Sequence, residues 1–149
     1  MTAKTQLTEA ADEIVARIEA LPAGAQRAWG TMTLPQMLAH CTEALRMTRG
    51  ELAIRQMFAG RILGGLAKRI FVRGRRGFGK SAPTHPRLLS AKAEDVAGEK
   101  ERLVEEVRRY AREGPDTSKP HPFFGRMTRD EWEHLAWKHL DHHLRQFSG

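Results

Sequence analysis

The chain has 149 residues, 40% of them apolar, one cysteine and a formal net charge of +7, which suits a single domain spanning 1–149 with a real core and disfavours two. A lone cysteine excludes an internal disulfide framework, and apolar stretches broken by Arg, Lys or Gly exclude a membrane span or secretory leader. A reducing cytoplasm is therefore the expected location, with no membrane partner.

The charge is concentrated. Between Glu51 and Arg87 nine Lys or Arg face one carboxylate, a net of +8, and the rest of the chain is nearly neutral. Such a field attracts nucleic acid, anionic lipid or a small polyanion, and also serves simply as a solvated face.

In chain order, Leu7, Ala11, Ile14, Val15, Ile18 and Leu21 form one apolar stripe, predicting a first helix that stops at Pro22-Ala23-Gly24. Thr33-Leu34-Pro35-Gln36 reads as a capping box opening a second helix with Leu34, Met37, Leu38, Cys41, Leu45 and Thr48 inward. His40 lies at the edge of that stripe. The segment from Gln56 to Val72 has helical apolar spacing but contains Gly60, Gly64 and Gly65, so a short or broken helix is expected, with a few strand residues at Ile70-Phe71-Val72. Gly74 to Pro86 reads as a loop. A long helix carrying Val96, Lys100, Leu103, Val104, Val107 and Ala111 on one face stops at Gly114-Pro115. The last helix opens at a second capping box, Thr128-Arg129-Asp130-Glu131, and runs to about Phe147.

Four principal helices without a sheet make an all-α four-helix bundle, with a Gly/Arg-rich segment connecting the second and third long helices. Bundles of this kind build metal sites from inward side chains of facing helices. On a wheel with His139 at 0°, His143 falls at about 40°, Trp132 at about 20° and Leu135 at about −40°, so both imidazoles face inward. Two neutral buried imidazoles each present two ring nitrogens to be satisfied; a metal takes one and a neighbouring acceptor the other. With His40 as the third nitrogen, the candidate ligands are His40, His139 and His143. His142, at about −60°, flanks the face as a fourth ligand, a supporting group or a surface residue, the last two being favoured, while His134, at about −140°, points away. His85 and His121, each joined to proline, are read as loop residues without a role.

Two further signals are set aside. Gly74-Arg75-Arg76-Gly77-Phe78-Gly79-Lys80-Ser81 matches a phosphate-loop expression, but the prolines after Ser81 keep the required helix from starting cleanly, and no apolar strand ending in Asp exists to hold Mg²⁺. Cys41, in the middle of an apolar stripe, is expected to be a buried inert thiol. Trp137 and Leu144 fall on the outward side of the last helix and suggest a dimer contact.

The tail His139-Leu140-Asp141-His142-His143-Leu144-Arg145-Gln146, together with His40 on a second helix, resembles the DinB/YfiT-like superfamily of metal-binding four-helix bundles. Trp29-Gly30-Thr31-Met32, Gln36 to Cys41, His121-Pro122-Phe123-Phe124-Gly125 and Lys138 to Phe147 resemble a small bacterial DinB-like subfamily of uncharacterised function. The resemblance implies a divalent metal, usually zinc or nickel, on His40, His139 and His143, and a homodimer. Members with known activity include low-molecular-weight thiol S-transferases and mycothiol-dependent isomerases, in which the metal holds a thiol cofactor as thiolate. The Arg- and Gly-rich middle departs from that pattern, so the substrate class does not carry over.

From ligand chemistry alone, three imidazoles suit Zn, Ni, Fe or Cu and leave positions open for water, hydroxide or thiolate. Acidified water makes hydrolysis equally possible. No carboxylate is in register as a general base: Glu43 tilts away from His40, and Glu51 lies roughly 16 Å further along the axis. The expected function is thus a metal-dependent enzyme with thiol S-transferase-like chemistry on a small-molecule substrate, hydrolysis second, and no assigned catalytic residue. The competing class is a nucleic-acid or anion-binding module that uses the basic 55–87 segment and keeps its histidines for structure. A metal-binding scaffold without catalysis is a third reading.

Overall fold

The computed structural model describes residues 5–52, 58–74, 93 and 95–148, the side chains of 58–60 excepted, and throughout these the protein is all-α. Leu7–Ala20 forms α1, Leu34–Thr48 α2, Phe58–Lys68 α3, Val96–Glu113 α4 and Arg129–Ser148 α5. The expected caps govern where these helices begin. Thr33 accepts from the Gln36 amide while the Gln36 side chain accepts from the Thr33 amide. Thr128 and Glu131 exchange the same pair of bonds at 3.0 and 3.2 Å, so each box satisfies amides that have no partner within the helix. Gln6 offers α1 no such cap. Instead the buried Glu133 of α5 accepts from the backbone amide and the hydroxyl of Thr8 at 3.0 and 2.5 Å, bringing negative charge to the positive end of the helix dipole. Gly114, at φ +73°, ends α4 where a side chain would be strained.

Helices α1 and α2 each pack against both α4 and α5. Their apolar stripes meet in one core that includes Ile14 and Ile18, Met37 and Leu38, Leu103 and Val107, and Leu140 and Leu144. Each such side chain, fully buried, is worth roughly 1.5–3 kcal/mol against exposure. A second, smaller cluster joins Ala67, Val72, Phe124, Met127, Trp132 and Leu135. Helix α5 therefore has apolar contacts on two sides. This corrects the reading of Trp137 and Leu144 as outward groups: Leu144 is 1% exposed within the main core, and Trp137 packs against it. A wheel with a single inward face fails for a helix gripped from two directions.

The middle of the chain differs from expectation in two ways. Helix α3 runs without a break through Gly60, Gly64 and Gly65. At Gly64 the missing side chain is what permits contact, since a Cβ there would fall on the carbonyl oxygen of Phe123. The residues read as strand, Ile70-Phe71-Val72, lie instead in a π-helical turn, Arg69–Arg73, that continues α3 and packs on α5. Lys138 donates to the Phe71 carbonyl and ties that turn to α5. Beyond Gly74, the loop expected to Pro86, with the phosphate-loop-like stretch and His85, lies outside the described residues.

Candidate metal centre

The packing of α2 against α5 brings together His40, on the second turn of one, and His139 and His143, one turn apart on the other. One ring nitrogen from each lies within 4.8 Å of the others. The ring centroids are 4.6 to 4.8 Å apart, each pair edge-on. His40 Nε2 and His139 Nε2 face each other at 2.9 Å. His40 and His143 are buried and His139 partly so. The three residues singled out from spacing thus form one cluster. On α5 the wheel neighbours of the pair, Trp132, Leu135, Ala136, Gln146 and Phe147, are all buried.

The protonation of this cluster follows from its surroundings. Burial, then the neighbouring imidazoles His143 and His40, hold His139 well below the usual histidine range. Burial, then His40, lowers His143 to about 3. Three rings this close cannot all carry a proton, because desolvation and mutual repulsion act together against the charged form. Lone pairs are therefore available at neutral pH.

His143 is also fixed in tautomer. Its Nδ1 lies 2.9 Å from Gln146 Oε1, while Gln146 Nε2 donates to the Trp29 carbonyl at 2.8 Å. The Trp29 carbonyl can only accept, so the amide nitrogen of Gln146 must face it and the amide oxygen must face His143. His143 Nδ1 is then the protonated nitrogen, and Nε2 keeps its lone pair for the cluster. The loop before α2 is held in place by the same contact: the Ala28 amide donates to the Gln146 backbone carbonyl at 2.7 Å, satisfying an orphan group at the end of α5. Gly30 makes room for it. Its φ is +84°, and a Cβ there would lie 2.6 Å from Gln146 Nε2.

His142 flanks the cluster, its ring 5.0 Å from that of His143 and 5.6 Å from that of Trp29. Burial, then Arg145, lowers its pKa. His134 points away, its Nδ1 2.9 Å from the Thr5 carbonyl. Cys41 is 1% exposed, and burial pushes its thiol far up, so it is not a nucleophile. Glu43 pairs with Arg46 at 3.0 Å, and Glu51 with Arg49 at 3.0 Å. Asp141 faces Arg17 and Arg145 at 2.9 and 2.7 Å. These three carboxylates are engaged away from the histidines.

The reading of His121 as a role-free loop residue is corrected. His121 and Gly125 close a tight turn through backbone bonds of 2.8 and 3.1 Å, with Gly125 at φ +76°. Inside the turn, His121 Nδ1 accepts from the Phe123 and Phe124 amides at 3.0 and 3.1 Å. The ring sits 5.4 Å from that of Trp132, and burial lowers its pKa to about 3. This turn supports α3 at Gly64 and lies against the α5 face that carries His139. Sequence offered only the His-Pro and closing Gly as signals of it, because both amide donors come from the turn itself.

The three imidazoles are a donor set that could hold a divalent metal, and one pair already has a metal's spacing. At 2.0–2.1 Å from each, a metal spaces two imidazole nitrogens roughly 2.9 Å apart at a right angle and 3.3 Å at the tetrahedral angle, against the 2.9 Å found between His40 and His139. No curated protein and no solved structure matches the chain. Over residues 1–149 the sequence matches the family described as "Protein of unknown function (DUF1569)", and the chain belongs to that family.

Proposed function

We infer that this protein is a metal-dependent enzyme of DinB/YfiT-like bundle type, in which His40, His139 and His143 hold one divalent ion, zinc or nickel by preference. The observation that carries this reading is the convergence of three imidazoles, one locked by Gln146 with its Nε2 lone pair directed inward.

When bound, the ion supplies a Lewis acid and lowers the pKa of water or a thiol at its open positions. The chain's own residues hold the ligand set: Gln146 orients His143, and the Trp29 carbonyl orients Gln146. Glu43, Glu51 and Asp141 are committed to arginines, and among the described residues the three-histidine group includes no carboxylate to serve as general base. This favours transfer chemistry on a small thiol-bearing molecule over hydrolysis. The competing anion-binding reading is weakened in the described part of the basic segment, where Lys68 and Arg73 both turn inward to Glu131 at 3.6 and 2.9 Å.

Elemental analysis of purified protein, with His139→Ala and His143→Ala alongside, tests the reading. Stoichiometric metal in the wild type and its loss in both variants is the expected result. A wild type that carries no metal and binds none on titration sinks it. Nucleic-acid affinity that falls steeply with salt and ignores a chelator would transfer the function to the basic segment.

A further inference from the structure

Helix α3 is built inside out. With Ile62 at 0° on its wheel, Leu66 lies at about 40° and Leu63 at about 100°, while Ala67 and Gly64 fall on the far side, at about 140° and 200°. The small residues face the protein: Gly64 meets the Phe123 carbonyl, and Ala67 belongs to the second cluster. The large ones face out, Ile62 at 67% exposed, Leu63 at 54% and Leu66 at 58%. They are the exposed large apolar side chains among the described residues. Three of them together on one helical face form a patch, unlike singly scattered surface apolars.

The charge around this ridge says what covers it. Residues 52–93 contain no Asp or Glu. Arg61 and Arg69 are exposed beside the ridge, with no ion-pair partner among the described residues. Arg126, whose carbonyl accepts from Lys68, adds an exposed cation near the same end. A second copy docked through this face would set these cations against their own kind. Nucleic acid would engage the cations but leave the ridge in water. A surface that is apolar within and anionic at its rim matches both features, and that describes an anionic lipid bilayer.

We propose that α3 lies in the interface of an anionic membrane, with Ile62, Leu63 and Leu66 inserted among the acyl chains and Arg61 and Arg69 at the headgroups. The protein is thereby a peripheral membrane protein. This revises the expectation, drawn from the absence of a spanning segment, that no membrane is engaged. It stands independently of the metal reading.

Sedimentation with sucrose-loaded vesicles tests it, using equimolar phosphatidylglycerol and phosphatidylcholine against phosphatidylcholine alone. The full chain is expected to pellet with the anionic vesicles and stay in solution with the neutral ones. Ile62→Ser/Leu66→Ser should lower partitioning at least about tenfold, and Arg61→Glu/Arg69→Glu should abolish it, both variants keeping the wild-type circular dichroism. Three results would each overturn the proposal. The wild type stays in solution with both vesicle types; the serine pair binds anionic vesicles as well as the wild type does, so that charge alone acts; or the wild type is a dimer that the serine pair converts to a monomer, so that a second copy covers the ridge.

Discussion

Gln146 Oε1 lies 2.9 Å from His143 Nδ1, and the same amide spans to the Trp29 carbonyl at 2.8 Å, so the orientation of an imidazole on α5 is set by a backbone oxygen in the loop before α2. Gln146→Leu keeps the bulk but removes both bonds. Groups of this kind behind a metal-binding histidine are worth about 10–100-fold in affinity. Competition titration with a zinc chromophore should show a loss of that size with the fold intact. Unchanged affinity would mean that the relay plays no part in holding the ligand set.

Gly30 tests the same relay from the backbone side. At φ +84°, with a Cβ that would fall 2.6 Å from Gln146 Nε2, the position excludes a side chain twice over. Gly30→Ala is expected to cost about 1–3 kcal/mol in urea unfolding from backbone strain. It should also lower metal affinity, because the nearest atom that can give way is the Gln146 amide itself. An equal loss of stability with no loss of affinity would separate the loop from the site.

These residues show how far the sequence could be read. The four long helices and both capping boxes were legible because they depend on local spacing and local hydrogen bonds. His139 and His143 were legible because i, i+4 spacing puts both on one face of one helix, and His40 because it lies at the edge of the second helix's apolar stripe. The role of Gln146 was not, since its partner Trp29 is 117 residues away. His121 was missed because its function is to close a turn that only tertiary packing makes visible, and Leu144 because α5 is buried on two sides rather than one.

Acid should destabilise the metal-free protein through its neutral histidines. Burial holds His121 and His143 at about 3 in the folded state, against about 6.5 when unfolded. Between these values only the unfolded chain takes up the protons. Stability is therefore fully present above about pH 6.5 and falls as the pH drops towards 3, by up to about 1.4 kcal/mol per pH unit for each such histidine. Urea titrations in the presence of a chelator from neutral pH downward should show this slope. His121→Asn, which keeps an acceptor for the Phe123 and Phe124 amides, should remove one histidine's share of it.

Arg49, at the end of α2, has a side chain only 3% exposed and reaches Glu106 at 2.7 Å, with Glu51 and Glu113 each at 3.0 Å. Removing one member of such a buried group leaves the other uncompensated. Arg49→Met is expected to cost about 3–5 kcal/mol, whereas Arg49→Met/Glu106→Leu recovers most of the loss. A double-mutant cycle by chemical denaturation measures the coupling. Additive losses would show that Glu106 is adequately served by Arg109, which lies 3.8 Å away.

Gly64 sets two physical effects against each other. By intrinsic propensity Gly64→Ala should stabilise an interior helical position by about 1 kcal/mol. In place, the added Cβ would meet the Phe123 carbonyl oxygen, a backbone atom held by the His121 turn. That turn cannot yield as a flexible side chain would, so α3 must lift and Ala67 must leave the second cluster. The substitution is therefore expected to lower the melting temperature despite the better helix former. Gly65→Ala serves as the control, because nothing lies within 4 Å of a Cβ there, and it should raise or preserve the melting temperature. If both substitutions stabilise, α3 rides free of the turn and the close approach at Gly64 does not hold it.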